Sequence, residues 1–415
     1  MSTAAPIQTS SGTSGAAAPA GRSISDYARR WWTDVRSGEL GSLPIVIGLI
    51  IIAIVFQSQN DRFLTSGNFV NLIVQAAGIT TIAMGVVFVL LLGEIDLSVG
   101  FVSGVAGALC ALLLLPDGAA LPAGVAIGGA LLAGLAIGTL HGVLITKVGI
   151  PSFVVTLAGL LGWNGVVLLL IGSRGTIVLQ NDLVIGFAND FLSTATAWIV
   201  ALVAIGAYAA AQLVTVRSRK AASLPTDPVA IVALRIVALA VVVLVVVGFA
   251  NQDRGIPYVL VVLAVLFVVW TFVLKRTTFG RHVYAVGGNA EAARRAGIDV
   301  DRIRITVFAI ASLMAALGGI ILASRLRSVD PGAGGGQILL YSIAAAVIGG
   351  TSLFGGRGTI KSAVLGALVI ASIDNGLGLL GLSSGTKFVV TGLVLLAAVT
   401  VDSISRKGRA QSGRA

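Results

Sequence analysis

Apolar residues form long continuous runs along this chain, and short polar segments separate them. A run of about twenty apolar residues is enough for an α-helix to cross ~30 Å of hydrocarbon. Continuous runs disfavour a β-barrel, whose strands alternate between apolar and polar residues. The pattern therefore predicts an all-α polytopic membrane protein with about twelve transmembrane helices. Their expected spans are 43–57, 69–92, 97–115, 121–146, 152–172, 196–215, 230–249, 257–274, 305–323, 338–353, 361–381 and 386–402.

Composition supports a membrane protein and excludes several classes of site. The chain is 56% hydrophobic and only 11% charged, whereas soluble domains contain about 25% charged residues. One cysteine and two distant histidines cannot form a metal cluster or an intrachain disulfide. We therefore expect no catalytic residues, no metal and no cofactor. Small residues let membrane helices approach closely, and we expect this of Gly100, Gly104, Gly107, Gly124, Gly128 and Gly134.

Positive charges are distributed unevenly between the two sides of the predicted helices. If the amino terminus lies inside, cytoplasmic segments hold 22 of the 28 Lys and Arg residues. The positive-inside rule then places both termini in the cytoplasm. It also accounts for the net charge of +11 without a nucleic-acid partner.

The remaining segments are too short for a soluble domain. We expect residues 1–42 to be a disordered cytoplasmic leader followed by an interfacial anchor, and residues 404–415 to be a cytoplasmic tail. The transmembrane domain would cover 43–403. A Walker phosphate loop is absent from the sequence, so any ATP hydrolysis would occur on another chain.

A charged insert, Lys275–Arg304, separates two apolar runs and carries seven Lys and Arg residues. Its middle predicts a short helix capped by Asn289, with Glu291 in the first turn and Gly297 as the stop. Glu291 and Arg295 are spaced to form an ion pair. Such a well-terminated helix on the cytoplasmic side indicates a docking surface.

Glu94 and Asp96 interrupt an apolar stretch in the sequence GEIDLSVG. In one interpretation, Asp96 caps a helix starting at Leu97 and Glu94 faces cytoplasmic water. In another, both lie at a hinge or gate of a transport path, because carboxylates are costly in the bilayer centre. A proton relay is a third possibility, although no intramembrane Lys or Arg partner is evident.

Other polar residues lie inside or at the ends of apolar segments. Asp374 and Asn375 lie near the predicted outer end of the eleventh span, in a translocation path or at a plain helix end. Neutral side chains and an aromatic ring could line a sugar pathway or simply form interhelical hydrogen bonds. These residues are Asn71, Gln75, His141, Trp163 and Asn164.

Several motifs together resemble the permeases of bacterial ABC importers for ribose, arabinose and xylose. They are GEIDLSVG, PSFVVTLAGLL, FGRHVYAVGGNAEAARRAGI, AAAVIGGTSLFGGRGT and SIDNGLGLLG, in this order. The extra spans at about 196–249, and Glu94 where ribose-type members usually have glycine, make the chain most similar to the xylose type.

The resemblance implies a homodimeric permease in the bacterial inner membrane that imports a monosaccharide, with D-xylose expected. A cytoplasmic ATPase subunit and an extracytoplasmic sugar-binding protein would be its partners, with lipid around it. The implied ATPase-coupling residues are Gly280, Arg281, Gly287, Gly288, Asn289, Glu291 and Gly297. The alternative is an ion-coupled secondary sugar transporter, which would need intramembrane ion ligands.

Overall fold

The computed structural model describes Arg29, residues 42–116 and residues 118–411. Apart from Arg29 and Ser42, the predicted leader and anchor lie outside the described residues. The helices are α1 (Leu43–Gln59), α2 (Ser66–Leu91), α3 (Val99–Leu114), α4 (Ala123–Val143), α5 (Ser152–Ile171), α6 (Asp182–Asn189), α7 (Thr194–Ala221), α8 (Val229–Ala250), α9 (Tyr258–Arg276), α10 (Thr278–Gly288), α11 (Ala290–Arg295), α12 (Val300–Leu326), α13 (Gln337–Ile348), α14 (Ile360–Leu379) and α15 (Ser384–Gln411).

Each predicted span overlaps one of these helices. Eight described helical segments are long and apolar enough to cross a membrane, and α1, α3 and α13 are shorter apolar helices. The all-α polytopic membrane fold is therefore confirmed. The span predicted for 338–353 is too long, because α13 ends at Ile348 and Gly350 adopts a φ of +97°. Glycine takes that left-handed conformation without the steric cost of a Cβ.

The chain divides into two compact units. One comprises Met1–Glu39 and Trp198–Val246, whose described part contains most of α7 and α8. Within it, Arg235 of α8 pairs with Asp227, which precedes that helix, at 3.0 Å. The second unit comprises Leu40–Ala197 and Val247–Ala415 and contains the other described elements.

Helix α12 forms the centre of the second unit and packs against α2, α3 and α4. Helices α13 and α14 pack against each other and against α2. Glycines allow close approach at Gly107, which faces the Gly319 backbone, and at Gly134, which faces α12. The same expectation is wrong for Gly124 and Gly128, because a Cβ built at either would meet nothing within 4 Å.

The long segment between α5 and α7 contains regular structure. Strand β1 (Ile177–Val178) pairs antiparallel with β2 (Ser328–Val329), which follows α12. Helix α6 is capped by Asn181 and attaches to the end of α12 through Ser324, whose Oγ accepts from the Ala188 N–H at 3.0 Å. These contacts order one end of the bundle.

Candidate functional site

The charged insert contains the predicted capped helix, now α11. The Asn289 side chain accepts a hydrogen bond from the Ala292 N–H at 2.9 Å. Glu291 pairs with both Arg294 and Arg295, at 3.2 and 3.0 Å. Gly297 follows with a φ of +83°, so the predicted cap, ion pair and stop are confirmed.

A second helix, α10, precedes α11 and was not predicted. Thr277 caps it by accepting from the Gly280 N–H at 3.2 Å. A Cβ at Gly280 would overlap the Leu274 carbonyl oxygen, so the tight turn out of α9 requires glycine there. Arg281 is exposed on the surface of α10. The insert therefore presents a two-helix platform, which we define as α10 and α11.

Three turns meet where the platform contacts the bundle. The Leu91 carbonyl at the end of α2 accepts a hydrogen bond from the Gly356 N–H at 2.9 Å, and a Cβ at Gly287 would overlap that same oxygen. A Cβ at Gly355 would meet the Gly287 carbonyl at 2.6 Å and the Gly93 nitrogen at 3.0 Å. We call these four glycines, with the Leu91 carbonyl, the glycine junction. Its contacts are between main-chain atoms.

A tyrosine provides a further link between the platform and the turn after α13. The Tyr284 hydroxyl donates to the Gly358 carbonyl at 2.7 Å. Burial raises the pKa of the Tyr284 phenol, so the hydroxyl keeps its proton and remains a donor. Val283 and Val286 on the same helix are buried, whereas most of α11 is exposed. The platform thus has one helix packed against the bundle, α10, and one that is mostly exposed, α11.

Glu94 has a basic partner that the sequence did not reveal. Its carboxylate lies 2.9 Å from the guanidinium of Arg304, near the start of α12. Only 15% of the Glu94 side chain and 29% of the Arg304 side chain are exposed. Glu94 is therefore held in an ion pair and largely shielded from solvent, whichever of the three interpretations applies to it. A separation of 210 positions along the chain left no local signal for this pair.

Asp96 does not cap a helix starting at Leu97, because α3 starts at Val99 with Ser98 at the cap position. Buried Asp96 instead accepts from the Ser98 N–H at 2.9 Å and from the Ser98 hydroxyl at 2.6 Å. The Ser98 hydroxyl lies 3.3 Å from His141 Nδ1, and the Trp163 indole N–H donates to His141 Nε2 at 3.0 Å. These bonds assign a proton to Nδ1 and join α3, α4 and α5.

The pair Asp374–Asn375 lies near the end of α14. Asn375 exchanges two hydrogen bonds with Asn68 of α2, at 2.8 and 2.9 Å, and donates to Gln75 at 3.3 Å. Asp374 lies 3.8 Å from the Lys387 ammonium. Gln75 and Asn375 are therefore brought together, and Asn68, which no sequence pattern singles out, completes the amide cluster.

The remaining candidates do not join this cluster. The Asn71 side-chain oxygen Oδ1 accepts a hydrogen bond at 2.6 Å from the guanidinium of Arg254, on the loop after α8. Asn164 is half-buried beside Trp163 on α5. The candidate residues thus form separate groups. These are the Glu94–Arg304 ion pair, the buried hydrogen-bonded series Asp96–Ser98–His141–Trp163, the amide cluster of Asn68, Gln75 and Asn375, and the exposed Asn71–Arg254 contact.

The fold is an all-α membrane bundle that carries a charged platform, and comparison with known proteins gives its class, the transport permeases. The family model for permease components of the branched-chain amino acid transport system matches residues 68–399. The chain belongs to this family.

Curated relatives cover almost the whole chain. It is 36% identical over 379 residues to the xylose transport system permease XylH of Escherichia coli K12, covering 91% of this chain and 95% of the relative. It is 35% identical over 370 residues to XylH of Haemophilus influenzae, covering 88% and 98%. The E. coli K12 ribose import permease RbsC is 32% identical over 375 residues, covering 90% and 97%. No solved structure matches. The chain is a multi-pass protein of the bacterial inner membrane.

Proposed function

We propose that this chain is the permease subunit of an ABC importer that translocates a monosaccharide, with D-xylose as the expected substrate. The observation that carries the proposal is the ordered platform α10–α11, anchored to two turns of the bundle, after α2 and after α13, within a family of transport permeases. The relatives named for xylose are more similar to the chain than the relative named for ribose. The additional helices α7 and α8 agree with that choice.

The proposed topology has twelve transmembrane helices, with both termini and the platform in the cytoplasm. Residues 43–403 would form the transmembrane domain, with 1–42 as leader and anchor and 404–415 as tail. Two copies would form the pore, an ATPase subunit would bind each platform, and a sugar-binding protein would deliver substrate from outside. The excess of Lys and Arg on alternate segments supports this orientation.

In the proposed mechanism, closure of the ATPase pair pushes on α11. The exposed Glu291 side chain and the surrounding segment Asn289–Gly297 contact the ATPase, and α10 transmits the movement to the glycine junction. Because the junction joins the ends of α2 and α13 to the platform, these helices would shift together between two packed arrangements. Gly280, Arg281 and Gly288 belong to the same coupling segment, in which the open space at Gly288 leaves room for an added methyl group.

The polar groups are proposed as elements of the path or its gate. The ion pair of Glu94 lies beside the glycine junction. Two residues further on, Asp96 begins the buried hydrogen-bonded series that passes through Ser98 and His141 and ends at Trp163, next to Asn164. Gln75 and Asn375 provide amides that can exchange their mutual hydrogen bonds for sugar hydroxyls, with Asn71 and Asp374 nearby in sequence. Pairing with Arg304 also weakens the ion-coupled alternative, because a neutralised carboxylate at a helix end is a poor ligand for a coupling ion.

A steric block on α11 tests the docking proposal. Ala292 is exposed on α11, so Ala292→Trp should prevent an ATPase subunit from co-purifying with the solubilised chain. The matched control is Leu183→Trp, an exposed position on α6 at the other predicted side. Recovery of an ATPase with the wild type and the control, but not with Ala292→Trp, supports the proposal. Absence of an ATPase from every sample would contradict it. Uptake of labelled D-xylose, with D-ribose as competitor, tests the substrate.

A further inference from the structure

A small cavity is formed by the last turns of α9, by α10 and by the start of α14. Its volume is about 80 Å³, well below the ~300–1,000 Å³ of pockets that enclose a whole ligand. It therefore has room for one small chemical group. The residues that line it are Phe267, Thr271, Leu274, Lys275, Tyr284, Thr359, Ile360 and Lys361. We call it the lysine cavity.

Two lysines give this cavity a positive charge. Lys275 and Lys361 are both exposed, and neither pairs with a carboxylate among the described residues. The Lys361 ammonium donates to the Ser42 hydroxyl at 2.6 Å, which leaves two of its hydrogens for a ligand. Lys361 also lies in the first turn of α14, where the helix dipole disfavours a positive charge. A bound anion would stabilise both ammonium groups.

A hydroxyl group in the lining also lacks an acceptor. Thr271 Oγ1 is buried and makes no hydrogen bond to any described residue. A buried donor without an acceptor is destabilising. Together with the two ammonium groups, it requires a small anionic group with several acceptor oxygens. A phosphate group has this chemistry.

The two lysines also indicate the depth of the cavity in a membrane. Helices α9 and α14 are each long and apolar enough to cross one. Lys275 lies in the last turn of α9 and Lys361 in the first turn of α14, so the cavity lies where two spans end. This is the level of the lipid headgroups.

An apolar surface continues from the cavity along α9. Val268 and Phe272 precede Lys275 at spacings of four and three residues, which place all three on one face of the helix. Their side chains are 64% and 60% exposed. An acyl chain can therefore lie along α9 while Lys275 holds the phosphate of the same molecule.

We propose that the lysine cavity binds the phosphate of one anionic phospholipid, whose acyl chains lie against the exposed face of α9. A soluble phosphate compound shares the phosphate chemistry but would leave the apolar face uncovered. Because Tyr284 of α10 lines the same cavity, the bound lipid would hold the platform against the bundle. The proposal requires only that α9 and α14 cross the membrane. Its failure would leave the proposed sugar transport and ATPase coupling untouched.

Thermal denaturation of the full chain tests the site, because a ligand that binds the folded state raises the melting temperature. The chain is purified in a neutral detergent, stripped of lipid and titrated with phosphatidylglycerol. Phosphatidylcholine, whose choline group repels the lysines, and glycerol 3-phosphate, which lacks acyl chains, are titrated in parallel. We expect phosphatidylglycerol to raise the melting temperature at concentrations where the other two have little effect.

Charge variants locate the bound lipid. Lys275→Gln and Lys361→Gln should each raise the phosphatidylglycerol concentration needed for half the effect about fivefold, as expected for one basic residue near a headgroup. Lys147→Gln is the matched control, because Lys147 is exposed but contacts Asp301 and does not line the cavity. It should titrate as the wild type does.

Thr271→Val separates a ligand contact from a structural role. Valine has nearly the same shape without the hydroxyl, so the lipid-free variant should be at least as stable as the wild type. At saturating phosphatidylglycerol, its melting temperature should rise less than that of the wild type.

Three results would overturn the proposal. If Lys147→Gln weakened the effect as much as the two cavity variants, the lipid would act through general surface charge. An equal effect of glycerol 3-phosphate and phosphatidylglycerol at the same concentration would identify the occupant as a soluble phosphate compound. A lipid-free Thr271→Val less stable than the wild type would show that the hydroxyl already has a partner within the protein.

Discussion

Adding one methyl group at Gly287 should disconnect the platform from the bundle. A Cβ there overlaps the Leu91 carbonyl oxygen, which also accepts the Gly356 N–H at 2.9 Å. The Gly287→Ala variant must move α10 away from this oxygen or break that hydrogen bond. Gly288→Ala is the matched control, because a Cβ at the neighbouring position meets nothing within 4 Å.

The size of the effect follows from these contacts. Losing the hydrogen bond costs about 0.5–1.5 kcal/mol, and forcing a methyl group into a packed site costs about 1–3 kcal/mol. Replacing glycine by alanine in a helix returns up to ~1 kcal/mol in both variants. We therefore expect Gly287→Ala to be less stable by about 1–3 kcal/mol, and Gly288→Ala to be unchanged or slightly more stable.

Two assays distinguish disconnection from unfolding. Thermal denaturation of the purified chain measures stability, and uptake of labelled sugar with co-purification of the ATPase measures coupling. We expect Gly287→Ala to keep the ATPase and lose most uptake, while Gly288→Ala retains both. Equal uptake by the two alanine variants would refute the reasoning, because the same oxygen would then tolerate a methyl group.

Three further predictions concern the platform, the ion pair and the amide cluster. Glu291→Lys places like charges together and should weaken ATPase binding about tenfold, or ~1.4 kcal/mol, with little change in stability because its ion pairs are exposed. Glu94→Gln or Arg304→Gln should each cost about 1–3 kcal/mol of unfolding free energy, less than a fully buried pair because both side chains are partly exposed. Asn375→Leu removes both hydrogen bonds between residue 375 and the buried Asn68 and should cost about 1–3 kcal/mol of unfolding free energy.

Each of these predictions has a distinct contradiction. Normal uptake by Glu291→Lys would remove that residue from the docking surface. A double variant of Glu94 and Arg304 as unstable as the sum of the single variants would mean that the two groups do not interact. Unchanged thermal stability of Asn375→Leu would mean that the amide groups form hydrogen bonds with water rather than with each other.

Local chemistry in the sequence was sufficient for some features of the site. The cap at Asn289, the charge spacing of Glu291 and the stop at Gly297 act within a few residues, so composition and spacing predict them. Helix α10 was missed because its glycines weaken any helical signal. Two of them, Gly280 and Gly287, lie against the main chain of Leu274 and Leu91, and the contact with Leu91 is one that no local pattern encodes.

Pairings between distant segments account for what the sequence could not provide. Glu94 and Asp96 are two positions apart, yet they have different partners. Glu94 pairs with Arg304, whereas Asp96 is connected to His141 through the Ser98 hydroxyl. Which partner each acidic group meets depends on how α12 and α4 pack around the turn. The glycines of α4 show the same limit, because spacing alone does not distinguish Gly134, which packs against α12, from Gly128, where an added Cβ would meet nothing within 4 Å.

The main-chain contacts of the glycine junction also determine which substitutions will impair this protein in a mutational scan. Its bonds run between peptide groups, so Leu91→Ala leaves the accepting oxygen in place, and a conventional alanine scan of the neighbouring side chains would pass over the connection. Sensitivity should instead appear as intolerance of any added atom at Gly287 or Gly355, whatever its polarity. A library that includes substitutions at glycines would therefore detect the connection between the platform and the bundle, which deletion of side chains does not affect.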